Sequence, residues 1–106
     1  MQQQACHEMK AGEVLNAAHT DFPLHHAVLY GSKLECAKFS KRLSCAIKHL
    51  PIRVSFSYNY DTLEAIEAGV RKNPTLFLDG VLFLEGLVQA EAITEAFEQL
   101  LQTTQE

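Results

Sequence analysis

The chain has 106 residues, 47% of them hydrophobic, a net charge of -4 and three cysteines. That length makes one domain with a core of modest size. The acidic balance gives no attraction to nucleic acid or to an anionic membrane, and no apolar run approaches the roughly 20 residues of a membrane span. The opening Met1-Gln-Gln-Gln-Ala-Cys-His-Glu8 has no basic region leading into an apolar one, so no signal peptide is expected. Three cysteines without a Cys-x-x-Cys argue against a disulfide framework and fit a reducing, cytoplasmic setting.

Residues 2 to about 7 are polar and glutamine-rich and read as a frayed end. A helix is expected from about Glu8 to His19, because Ala11, Val14, Leu15 and Ala18 recur at helical spacing. Thr20-Asp-Phe-Pro23 breaks it. His26 to Tyr30 is a short apolar run before Gly31-Ser32 and reads as a central strand buried on both faces. A helix follows from about Cys36 to Leu50, stopped by Pro51, with Phe39, Leu43, Ala46, Ile47 and Leu50 as its inner stripe. Cys36 lies near that stripe in the first turn, and Cys45 lies on the other side among Lys38, Lys41 and Lys48. The two cannot bond within one helix, where their Cα atoms would stand ~13.5 Å apart, beyond the roughly 7 Å that a disulfide spans.

Ile52 to Tyr58 alternates apolar and polar, as an edge strand does. Asp61-Thr-Leu-Glu64 fits a capping box opening a short helix to about Ala68, closed by Gly69. Pro74–Leu78 and Val81–Leu84 flank Asp79-Gly80, a two-residue hairpin with a type I′ turn. Gln89 to Gln102 is an amphipathic helix with Ile93, Ala96, Phe97, Leu100 and Leu101 inward. The strands on either side of the second helix are joined by a crossover and should be parallel. One mixed four-stranded sheet with helices on both faces follows.

Three segments resemble the thioredoxin-fold superfamily. Gly69-Val-Arg-Lys-Asn-Pro-Thr-Leu-Phe-Leu78 is similar to the entry into its cis-proline strand. Ser32-Lys33-Leu-Glu-Cys36 is similar to the Ser-Lys-x-x-Cys approach to the glutaredoxin nucleophile. Asp79-Gly-Val-Leu-Phe-Leu-Glu-Gly86 resembles the hairpin and glycine turn that close both families. The resemblance covers about residues 26 to 102. It implies a thioredoxin-like α/β three-layer sandwich with a four-stranded mixed sheet and an extra N-terminal helix. In domain terms, 1–24 would be a helical extension and 25–106 the thioredoxin-like domain.

The resemblance allows two registers for the cysteine. In one, Cys36 is the nucleophile and Phe39 replaces the resolving cysteine. In the other, Lys33-Leu-Glu-Cys36 is the motif and Lys33 has replaced the nucleophile. The spacing of Cys36 from Tyr30 favours the first, which makes the site monothiol. A helix N-terminus, Lys33 and Lys38 would stabilise a thiolate there, and Glu35 would oppose it. Monothiol exchange needs a second thiol, from a protein partner, from glutathione or from Cys6, the one internal candidate. Lys72-Asn73-Pro74 stands where glutaredoxins carry Thr-Val-Pro, so the glutathione frame is incomplete. The implied function is thiol–disulfide exchange through Cys36, with Lys33, Asn73, Pro74 and Thr75 binding the substrate and no resident cofactor. The alternative is a redox-inactive binding module that uses the cis-proline groove. His7, His19, His25, His26 and His49 have no metal-ligand spacing and read as surface residues. Phe56, Tyr58 and Tyr60 read as strand packing rather than a ligand platform.

Overall fold

The computed structural model describes residues 6–104; the expected frayed end lies mostly outside them. The described elements are β1 (Val14–Leu15), β2 (Leu24–Tyr30), α1 (Lys33–Ile47), β3 (Arg53–Asn59), α2 (Thr62–Glu67), β4 (Thr75–Leu78), β5 (Val81–Glu85) and α3 (Ala90–Thr104). They form an α/β fold with one five-stranded sheet in the order β1-β3-β2-β4-β5. β2 and β3 are parallel, joined through α1, and the other three pairings are antiparallel.

One face of the sheet carries the core. Ala27 and Leu29 of β2, Val54 and Phe56 of β3, and Leu76 and Leu78 of β4 alternate inward, as strand geometry requires. Against them pack Phe39, Leu43 and Ile47 of α1 and Ile93, Phe97 and Leu101 of α3. The intervening residues Val28, Tyr30 and Phe77 are only half-buried, and His26 and Ser57 are exposed. β2 is therefore central but not buried on both faces. The Tyr30 and Phe77 rings pack in a T-shaped arrangement, with centroids 5.3 Å apart.

The expected N-terminal helix does not form. Its place is taken by turns and by β1, so the sheet has five strands rather than four. Gly12 and Asn16 adopt positive φ of 87° and 61°, which no right-handed helix accommodates. Tertiary pairing outweighs the local periodicity. The Gly12 N–H donates to the Phe56 carbonyl at 2.7 Å, and the Phe56 N–H donates to the Glu13 carbonyl at 3.0 Å. Met9 is buried in the core, and its carbonyl accepts from the Tyr58 hydroxyl. β1 also covers Val54 and Ser55, so β3 is not the sheet edge there.

The cysteines also differ from expectation. Cys6 and Cys45 form a disulfide across 39 residues, with Cα atoms 5.2 Å apart, and Cys36 alone is free among the described residues. Cys45 does point away from Cys36, as its helical position requires. The polypeptide before β1 folds back along the outer side of α1 and meets it there, a relation that no motif records.

The Asp79-Gly80 hairpin has the backbone of its sequence pattern, with φ of 53° and 83°. Asp79 does more than turn the chain. Its carboxylate lies 2.5 Å from His25 Nδ1 and accepts from the His26 N–H at 2.9 Å. Asp61 caps α2 by accepting from the Glu64 N–H at 2.9 Å. Glu64 does not close a capping box. It accepts instead from the Asn59 side-chain amide at 2.8 Å.

Candidate functional site

The C-terminal end of β2 delivers Gly31 and Ser32 to the start of α1. Ser32 is the N-cap, and the helix begins three residues before Cys36. The Glu35 N–H donates to Ser32 Oγ at 3.1 Å, and the Ser32 N–H donates to Glu35 Oε1 at 3.2 Å, a complete capping box. The Cys36 N–H already donates to the Ser32 carbonyl at 2.9 Å. Cys36 is thus the fourth helical residue, one turn inside the helix, and not the residue at its mouth. The residue at the mouth is Lys33.

That single turn reverses the environment of the thiol. Cys36 has no exposed surface and belongs to the core cluster with Phe39 and Leu29. Burial, and secondly the Glu35 carboxylate, push its pKa up from 9.0 to about 11. A thiol in that state is protonated at neutral pH and is a poor nucleophile. The helix terminus does not help it, because the two unbonded donors of the first turn belong to Lys33 and Leu34.

The second part of the site comes from the segment entering β4. The Asn73–Pro74 bond is cis, and Pro74 is buried. The Pro74 carbonyl accepts from the Gly86 N–H at 2.7 Å. Thr75 is fully buried, and its hydroxyl donates to the Lys72 carbonyl, bracing the turn before the proline. Asn73 is exposed. Among the described residues nothing accepts from its N–H and nothing donates to its carbonyl.

Gly31 joins the two parts. A Cβ built there would stand 3.3 Å from Pro74 Cα and 3.5 Å from Cys36 Sγ, at a positive φ of 147°. The backbone at Gly31 therefore lies directly against both the proline and the sulfur. Of the sequence-derived site residues, Cys36 and Pro74 are brought together below the surface. Lys33 and Asn73 stand exposed on either side, and Thr75 is a buried support. The Lys33 ammonium sits 5.9 Å from the centroid of the Tyr60 ring.

Beside Asn73 opens a cleft of about 370 Å³. Gly31, Ser32 and Asn73 form one wall, and Tyr60, Ile66 and Val70 form the apolar part of the other. Asp61 and Arg71 also line it, and Arg71 makes an outward ion pair with Glu85 at 3.0 Å. Two of its lining side chains are apolar and exposed, Ile66 at 63% and Tyr60 at 46%, and Leu34 and Leu63, in the first turns of α1 and α2, are each more than 60% exposed. Sequence reasoning missed Ile66, Val70 and the role of Tyr60. The available signal was α2 itself, a six-residue helix carrying Leu63 and Ile66 of which only Ala65 is buried. Tyr58 does pack inward, whereas Tyr60 faces the cleft. No protein-family model matches the chain and no curated protein matches it.

Proposed function

We propose that the chain is a thioredoxin-like binding module that holds an extended segment of a partner protein against the cis-proline groove, without redox chemistry at Cys36. The observation that carries this reading is Asn73. An exposed residue with both backbone hydrogen-bonding groups unpaired, next to a buried proline, is one rung of a β-ladder awaiting a partner strand. The cleft beside it has the volume of a recognition pocket and an apolar wall for a side chain. The burial of Cys36 supports the register in which Lys33 stands in the nucleophile's place. With no accessible thiolate, neither a protein disulfide nor glutathione has a sulfur to attack there.

A displayed library of random peptides, selected on the oxidised protein, tests this. Selected peptides should shift the amide signals of Gly31, Ser32, Ile66 and Asn73. Ile66→Asp and Tyr60→Ala should each weaken binding at least about tenfold, as loss of an apolar anchor does, while Cys36→Ala leaves it unchanged. Peptides held only through a mixed disulfide to Cys36, or shifts confined to another surface, overturn the reading.

A further inference from the structure

The sulfur chemistry of this molecule lies elsewhere, on the far side of α1, and its placement does not depend on the groove. The segment from Cys6 to Glu13 runs back along α1 as a strap. The Met9 N–H donates to Ser40 Oγ at 3.2 Å, Ser44 Oγ donates to the His7 carbonyl at 3.0 Å, and Cys6 is bonded to Cys45. Ser40 and Ser44 are buried, whereas Cys45 is exposed. The disulfide is therefore the outermost fastening of the strap. The Lys48 ammonium lies 4.0 Å from Cys6 Sγ, and Lys41 and Lys48 flank Cys45 one helical turn away on either side.

We propose that Cys6–Cys45 is a thiol–disulfide exchange site for a protein dithiol, and that its reduction unfastens the strap. An incoming thiolate forms a bond to Cys45 Sγ. The Cys6–Cys45 bond breaks, and its electron pair goes to Cys6, which leaves as a thiolate beside the Lys48 ammonium. The second thiolate of the dithiol then attacks the incoming sulfur and releases Cys45, and each cysteine thiolate takes a proton. Two electrons pass from the dithiol, which ends as a disulfide, to Cys6 and Cys45, which end as thiols. Exposure decides which sulfur is attacked, and the adjacent ammonium favours Cys6 as leaving group because a more stable thiolate leaves faster.

The strap has something to uncover. Glu8, Met9, Lys10 and Ala11 form one wall of a cavity of about 270 Å³, and Lys33, Tyr58 and Tyr60 form the other. Releasing its end loosens Met9 in the core and opens the cavity toward Tyr60.

The test uses the full chain carrying Cys36→Ala, so that only Cys6 and Cys45 are titrated, with dithiothreitol as the dithiol probe. The air-oxidised protein should show no free thiol, with Cys6 and Cys45 joined in the peptide map, and the reduced protein two free thiols. Reduction should raise hydrogen exchange at the Met9 amide at least about tenfold while β2 and β4 stay protected, as expected of a local opening. Lys48→Gln should slow reduction about threefold, the size of a modest rise in leaving-thiol pKa. The Cys6→Ser, Cys45→Ser protein should reproduce the exchange pattern of the reduced state. Two free thiols after oxidation, an unchanged Met9 amide on reduction, or a Lys48→Gln protein reduced at the unaltered rate each overturns the proposal.

Discussion

Cys36 shows how one helical turn sets the chemistry of a side chain. At the N-cap it would have faced the positive end of α1; at the fourth position it faces Phe39 and the sheet. Native protein at pH 8 should therefore alkylate at Cys36 roughly a hundredfold more slowly than a free thiol, because so little of it is ionised; quenched labelling followed by mass spectrometry reads this directly. The same burial makes stability depend on pH. The unfolded chain loses the thiol proton near 9.0, and the folded chain holds it to about 11. Across that window the unfolded state binds fewer protons, so stability should fall as pH rises, and this part of the decline should vanish in Cys36→Ala. Asp79 acts in the opposite range. Burial pushes its carboxyl up, but the hydrogen bonds and charge of His25 and His26 outweigh this and hold it below the usual carboxylate value. Its contribution is complete above about pH 4 and is lost as pH falls through the folded value. Asp79→Asn keeps the turn and should remove that acid-side loss, as thermal melts from pH 2 to 5 would show.

Among the elements, the N-terminal strap departs most from its local sequence pattern. The spacing of Ala11, Val14, Leu15 and Ala18 suits a helix, yet Gly12 sits inside it and costs a helix about 1 kcal/mol relative to alanine. Pairing with β3 satisfies the same backbone groups and buries Met9 to 3% exposure. Met9→Ala should thus behave as a core truncation and cost about 2–4 kcal/mol in denaturant unfolding. A loss below about 0.5 kcal/mol is what a surface position would give, and would mean that the strap does not belong to the core. The other elements follow their local signals more closely. α3 carries its apolar stripe inward through Ile93 and Phe97, and the Phe83 ring meets Phe97 edge-on at 4.9 Å between centroids. α1 starts earlier than the apolar stripe suggests because Ser32 and Glu35 form a reciprocal cap, a pattern present in the sequence but overshadowed by the cysteine beside it.

At the scale of the whole molecule, the disulfide closes a loop that contains β1, β2 and most of α1. A crosslink over that length restricts the unfolded chain, so the Cys6→Ser, Cys45→Ser protein should be less stable than the oxidised protein by about 2–4 kcal/mol. Equal denaturation midpoints for the two would mean that the loop is not closed in solution. The loop also links the two unusual regions of the fold. The strap wall reaches Tyr60, and Tyr60 is shared with the cleft beside Asn73.

Much of this architecture was already decided by local rules in the sequence. Asp79-Gly80 between two apolar runs makes a hairpin because few residues adopt its positive φ angles. The strand–helix–strand segment from His26 to Tyr58 makes a parallel pair because a helical crossover leaves few alternatives. Lys33, Cys36, Asn73, Pro74 and Thr75 could be marked as a group before any coordinates. Only the tertiary structure decided how deep Cys36 lies, that Asn73 presents an unpaired backbone, that residues 6 to 15 join the sheet, and that Cys6 meets Cys45. Each of these depends on contacts between segments tens of residues apart. Burial and pairing at that range leave no periodicity in the chain, and their free energies are large enough to override the local preferences that do.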